Sequence, residues 1–316
     1  MYEHSEHSRP TTHSAPSRRA ALGAGAGLLA AGFLAATAAP AGAAPATAGT
    51  PAAGPHAALR RLERAHRARV GAFAHNTATG ATVAYRAHTR FAMCSAFKAL
   101  AVSAVLRDLD RDGETLARRI HYTADDLVKD GSPVTQKHVA TGMTVAELCD
   151  ATLRVSDNTA GNLLLRELGG PTAVTAFARS LGDPVTRLDR WEPELNTAEP
   201  WRRTDTTTPY AIARTFARLL VGDALPAADR DRLTAWMKAN ETNTERFRAG
   251  LPDDWTVADK TGSGAYGTGN DVGVAWTADG TPIVLAVLTR KADQAATYDN
   301  PLIADVTRVL AGAVAG

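Results

Sequence analysis

The sequence predicts an α/β fold in which an antiparallel β-sheet flanked by helices is joined to an all-α domain. Strand-like segments lie at both ends of the chain and helical periodicity fills the middle, the pattern of a discontinuous sheet domain with a helical insertion. At 316 residues the chain suits one large domain or two smaller ones. Its 45% hydrophobic and 22% charged content is ordinary globular usage, so a packed core is affordable.

The first 43 residues read as an export signal. Polar residues run from Met1 to Ser17, Arg18-Arg19 follow, then an Ala/Gly/Leu-rich run from Ala20 to Ala39, and Ala41-Gly42-Ala43 forms a small-residue cleavage pattern. The paired arginines suggest the twin-arginine route. A single membrane anchor is the competing reading, since about 20 residues suffice to span, but Ala and Gly are weakly hydrophobic. The expectation is therefore a secreted protein with no stable membrane association after cleavage. The formal net charge of +2 falls to +1 without this segment, which gives no electrostatic argument for nucleic acid or an anionic membrane.

Residues 44–54 are Ala/Pro/Gly/Thr-rich and read as a disordered leader. A surface helix follows over Pro55 to Arg69. Val70 to Asn76 and Ala81 to Arg86 alternate about Thr77-Ala78-Thr79-Gly80, a hairpin signal. The pattern is helical from Phe91 to Gly222, with one helix expected from Ser95 to about Asp110 and another from Asp157 to Leu168, ended by Gly169-Gly170. Arg187 to Thr208 lacks periodicity, and a loop that long inside a domain is uncommon unless it is functional. After a helix over Pro226 to Asn240, strands return at Trp255 to Lys260, Asp271 to Trp276 and Pro282 to Arg290, and a helix over Pro301 to Val314 closes the chain. The expected division is thus a sheet domain from 55–87 and 241–316, and an all-α domain over 88–240.

Three short elements carry chemistry. Ser95-Ala96-Phe97-Lys98 is an S-x-x-K element whose spacing puts both side chains on one helix face. A serine hydroxyl is a weak nucleophile until a neighbouring base takes its proton, and a desolvated lysine is one such base. Alone the element is weak, since about one occurs by chance in a chain this size. Ser156-Asp157-Asn158 precedes a helix, where its plain reading is an N-cap. Lys260-Thr261-Gly262-Ser263-Gly264 follows a strand; it is either a polar turn or an edge that offers a cation, hydroxyls and a backbone N–H to an anionic substrate. The three elements together, in this order, are the signature of penicillin-recognising serine enzymes.

From Pro55 to the end the chain resembles the class A serine β-lactamases, in their actinobacterial form. Beyond the three elements, Trp191-Glu192-Pro193-Glu194-Leu195-Asn196 is similar to the family's active-site loop, Arg190 and Asp205 match the loop's two pairing ends, and Arg246 stands fourteen residues before Lys260. The resemblance implies the serine β-lactamase/penicillin-binding transpeptidase-like fold with the site between its two domains. It implies a monomer without cofactor or metal that breaks down penicillin- and cephalosporin-type antibiotics, and so confers resistance. In that reading Ser95 forms the acyl-enzyme, its proton leaving to Lys98 or, through a water, to Glu192. Ser156 relays a proton to the leaving nitrogen. Lys260, Thr261 and Ser263, with Arg246, hold the substrate carboxylate, and Asn158 contacts the substrate amide. Glu192 and Asn196 orient the deacylating water. A D-alanyl-D-alanine carboxypeptidase would lack Glu192 and its flanking residues, and a non-hydrolysing β-lactam sensor would have lost one of the core groups.

Three departures bear on specificity. Gly131 stands where relatives carry an aromatic, which is expected to widen the cleft entrance. Gly264 occupies a position where disulfide-bearing relatives have Cys, which leaves Cys94 without a partner there. Gly269 replaces an arginine common in actinobacterial relatives. Cys94 and Cys149 could form one disulfide in an exported protein, but their apolar surroundings favour two buried free thiols.

Overall fold

The computed structural model describes residues 54–315, so the segment expected to be an export signal (1–43) and all of the expected leader but Gly54 lie outside the described residues. Helix α1 (Pro55–Ala65) begins on a proline, whose fixed φ suits a first helical position, and buries Leu59. Strands β1 (Arg69–Asn76) and β2 (Thr82–Tyr85) form the expected hairpin. Late in the chain come β3 (Thr256–Gly264), β4 (Thr268–Trp276) and β5 (Pro282–Arg290). They complete a five-stranded antiparallel sheet in the order β2-β1-β5-β4-β3, which leaves β3 at an edge.

Both faces of this sheet are covered. Ala72, Ala74, Leu285 and Val287 pack with the closing helix α8 (Asn300–Val314) and α1. Phe73, Ala258, Val272, Val284 and Ala286 on the other face join a larger core built on the middle helices. Burial on both faces explains why β5 reads as an almost unbroken apolar run. The middle helices are α2 (Phe97–Ala104), α3 (Val145–Arg154), α4 (Asn158–Glu167), α5 (Pro171–Ser180), α6 (Pro209–Leu220) and α7 (Ala227–Lys238). Buried α2 touches α3, α4 and α5, so the helix that follows Ser95 is held from several sides.

Two expected elements differ. The helix over Ser95 to Asp110 is three geometries in series: a tight turn over Cys94–Ala96, α2, and a wider turn over Val105–Leu109 closed by the Asp110 N–H donating to the Val105 carbonyl at 2.9 Å. The strand expected to stop at Lys260 continues through Gly264, because Thr261 to Gly264 pair with Asp271 to Thr268. Small and polar residues there carry no hydrophobic alternation, and ladder pairing makes them a strand. Between Arg187 and Thr208 the only regular pieces are a short turn over Glu194–Thr197 and Thr206–Thr207, which pairs with Phe91–Ala92.

Candidate active site

Ser95 stands in the turn that opens α2, with Cys94 before it in left-handed backbone at φ 45°. Such a conformation is costly for a residue with a side chain and clusters at functional sites. Edge strand β3 passes directly against this turn. A Cβ on Gly262 would lie 2.7 Å from the Met93 carbonyl oxygen and 3.2 Å from the Ser95 nitrogen, so only glycine permits the approach. The Ser95 N–H and the sheet edge thereby face one another.

The Ser95 hydroxyl donates to Glu192 Oε1 at 3.1 Å, and Lys98 Nζ is 3.3 Å from the same oxygen. Among the described residues no hydrogen bond joins Ser95 to Lys98; the two meet at Glu192. The fully buried Lys98 ammonium donates to the Ser156 carbonyl at 2.7 Å and to Asn158 Oδ1 at 2.5 Å, with Ser156 Oγ at 3.3 Å. Burial pushes its pKa down, while Glu192 and Asp157 oppose that shift.

The N-cap expected at Ser156-Asp157-Asn158 is present, and the same turn faces Lys98. Asp157 is the N-cap of α4, accepting from the Ala160 N–H at 2.9 Å, and it also binds Thr135 and the Val134 N–H. Ser156, left-handed at φ 59°, and Asn158 turn toward Lys98.

Glu192 is held by its neighbours rather than left as a loop acid. Its Oε2 accepts from Asn196 Nδ2 at 2.5 Å, while Asn162 accepts from the Glu192 N–H at 3.0 Å and donates to its carbonyl at 2.8 Å. The loop's ends are closed by Arg190 Nε on Asp205 Oδ2 at 2.5 Å. Asn162 was missed from the sequence; its signal is a polar residue one helical turn beyond Asn158, on the same face.

A cationic cradle lies along β3. Lys260 is fully buried and donates to the Thr261 carbonyl at 3.0 Å, and burial, with nearby Lys98, pushes its pKa down to about 7. The Thr261 hydroxyl meets Thr242 Oγ1 at 2.5 Å. Arg246 donates to Ser263 Oγ at 2.7 Å, to the Gly262 and Asn270 carbonyls at 3.0 and 2.8 Å and to Asn300 Oδ1 at 2.8 Å, and stacks on Tyr298. No carboxylate of the described residues is within ion-pair distance of Arg246, so its charge is open to an anionic ligand.

Behind the cradle lie two wholly buried carboxyls, Asp259 and Asp271. Asp259 accepts from Asn240 Nδ2 at 3.0 Å and Asn243 Nδ2 at 2.5 Å; Asp271 accepts from the Phe247 N–H at 3.1 Å through Oδ2, while its Oδ1 finds no donor among the described residues. Burial, then the adjacent negative Asp259, hold Asp271 well above the ordinary carboxyl range. With two amides stabilising Asp259 as the anion, the shared proton sits on Asp271. Aspartates inside apolar strands were the sequence signal for this pair.

The other expectations resolve locally. Cys94 and Cys149 are buried free thiols, and burial pushes both thiols up. A Cβ on Gly131 would fall 2.4 Å from Asn158 Nδ2, and its carbonyl accepts from the Asn158 N–H at 2.7 Å. Gly131 therefore packs directly on Asn158.

The whole described chain matches known proteins. A model of the β-lactamase enzyme family covers residues 55–314. A β-lactamase of Streptomyces fradiae is 65% identical over 81% of this chain and 85% of its own, and one of Streptomyces albus G is 56% identical over 96% and 98%. Among solved structures, the Streptomyces albus G β-lactamase aligns with a TM-score of 0.81 at 60% identity over 82% of this chain and 99% of that one. A β-lactamase from Desulfarculus baarsii DSM 2075 aligns at 0.80 with 49% identity over 82% and 96%.

Proposed function

The chain belongs to the β-lactamase enzyme family, in its class A actinobacterial form, and hydrolyses β-lactams; on that premise we propose how its residues divide the work. The observation that carries the proposal is the meeting of Ser95 Oγ and Lys98 Nζ at one oxygen of Glu192, at 3.1 and 3.3 Å. The Ser95 oxygen attacks the lactam carbonyl carbon while its proton passes to the Glu192 carboxylate. Lys98 is an ammonium at rest, since Ser156, Asn158 and Glu192 supply acceptors for its protons, and it pairs with Glu192 at 3.3 Å.

Backbone N–H groups of Ser95 and Ser263 receive the developing oxyanion, a role supported by the close passage of β3 at Gly262. As the C–N bond breaks, Ser156 gives its hydroxyl proton to the departing nitrogen and takes one from the Lys98 ammonium at 3.3 Å. Lys98 recovers a proton from Glu192, which becomes a carboxylate again. Lys260, Thr261, Ser263 and Arg246 hold the substrate carboxylate, and Asn158 receives the side-chain amide. Water then attacks the acyl carbonyl as Glu192, now ionised and fixed by Asn196 and Asn162, takes its proton and returns it to Ser95 Oγ as the ester bond breaks.

The paired arginines and Ala/Gly-rich run of the first 43 residues support twin-arginine export and a secreted enzyme. No helix of the described residues is long and apolar enough to cross a membrane. The division of labour is tested by intact mass during benzylpenicillin turnover. The parent should show a transient adduct and Ser95→Ala none; an adduct persisting on Ser95→Ala would remove Ser95 as the nucleophile.

A further inference from the structure

Away from the β-lactam site, where β1 begins and β5 ends, lies a cavity of about 390 Å³ walled by Arg64, Arg67, Arg69, Arg86, Arg290 and Lys291. One acid, Glu63, reaches it, and that carboxylate is spent. Its Oε1 accepts from the Val70 N–H at 2.9 Å and from Arg86 Nε at 3.0 Å, and its Oε2 from Arg86 Nη2 at 3.0 Å and from the Tyr85 hydroxyl. Lys291 is likewise paired, with Asp299 at 3.0 Å. Among the described residues, no carboxylate is within ion-pair distance of Arg64, Arg67, Arg69 or Arg290.

Two of these unpaired cations are forced together by the sheet. Arg69 and Arg290 are direct partners in the β1–β5 register. Like charges directly opposite in an antiparallel pair oppose folding unless a counterion lies between them. Arg290 is half-buried and its pKa is lowered, first by burial and then by Arg69. The near-neutral net charge of the whole chain does not account for so local a concentration.

We propose that this cavity is a binding site for a multiply charged phosphate group, held chiefly by the Arg69–Arg290 pair with Arg64 and Arg67 at its rim. Guanidinium forks match phosphoryl oxygens bidentately, and a polyanion neutralises several of them where a single carboxylate would leave an excess of positive charge. The site is separate from the cradle on β3, with β4 standing between β5 and that edge. Its occupant is either a free phosphate, such as pyrophosphate, or the phosphodiesters of an anionic polymer.

Calorimetric titration of the purified protein at physiological salt separates the outcomes. Inorganic pyrophosphate is one ligand and poly(glycerol phosphate) the other, and the tighter binder identifies the source. Arg69→Gln/Arg290→Gln should weaken binding at least tenfold and abolish the rise in Tm that the ligand gives the parent. Arg60→Gln/Arg61→Gln removes equal charge from neighbouring α1 without touching the cavity, and should bind within twofold of the parent. Both variants should keep their β-lactamase activity, since none of the four residues belongs to the β-lactam site and none is ion-paired among the described residues. Failure of both ligands to bind, or equal weakening by the two double variants, would overturn the proposal.

Discussion

Replacing Asp271 by asparagine tests the buried acid pair behind the substrate cradle. In the folded protein Asp271 carries a proton; in the unfolded chain it titrates in the ordinary aspartate range. Its raised folded pKa therefore gives stability that is present in full below the unfolded value and is lost as pH rises through the folded one. Across that interval the loss is about 1.4 kcal/mol per pH unit. Asparagine has nearly the same shape, keeps an oxygen for the Phe247 N–H and turns an amide donor toward Asp259. It cannot ionise, so this pH slope disappears. Urea denaturation of parent and variant at several values between pH 5 and 8 should show the variant gaining on the parent by about 1.4 kcal/mol for each unit until Asp271 titrates. Asp259→Asn should behave differently. It presents a second amide to Asn240 and Asn243, leaves a donor unsatisfied and costs about 1–3 kcal/mol at every pH. A stability difference between the parent and Asp271→Asn that does not vary with pH would refute the assignment of the proton.

Two further outcomes follow from the cradle and its neighbour. Lys260, with its pKa at about 7, is cationic below that value and neutral above it; KM for an anionic penicillin should therefore climb on the alkaline side, by up to about tenfold per pH unit, while kcat changes little. A flat KM up to about pH 9 would show that Lys260 keeps its charge. Gly131→Ala pushes a Cβ into the Asn158 amide, so KM for penicillins with an acylamino side chain should rise, and rise further in Gly131→Tyr, with Tm nearly unchanged. Unchanged KM in both variants would mean that Asn158 does not hold that amide.

Much of this site was legible because its chemistry is local in sequence. Ser95 and Lys98 share a helix turn, Ser156 to Asn158 form one cap, and Lys260 to Ser263 form one strand. Each triplet has a plain structural reading, and only their order and combination separate the two. The fold was legible where burial imposes a period, as in β5 and α6. It was not legible where pairing alone makes a strand, as at Thr261 to Gly264, or where the helix changes pitch at Val105. The supporting residues were harder still. Asn162 grips Glu192 from thirty positions away, and Asp259 meets Asp271 across two strands. Contacts at that separation leave no pattern in a single sequence, and neither does the Arg69–Arg290 pairing, which exists only once β1 and β5 are in register.

The central claim is that Glu192 makes hydrolysis possible after acylation. Intact-mass measurement of the Glu192→Ala variant with benzylpenicillin tests it most directly. A covalent penicilloyl adduct on Ser95 should form more slowly than in the parent, because buried Lys98 is then left to take the serine proton, and should persist for hours while the parent turns over freely. Turnover by Glu192→Ala at the parent's rate, with no adduct accumulating, would contradict it.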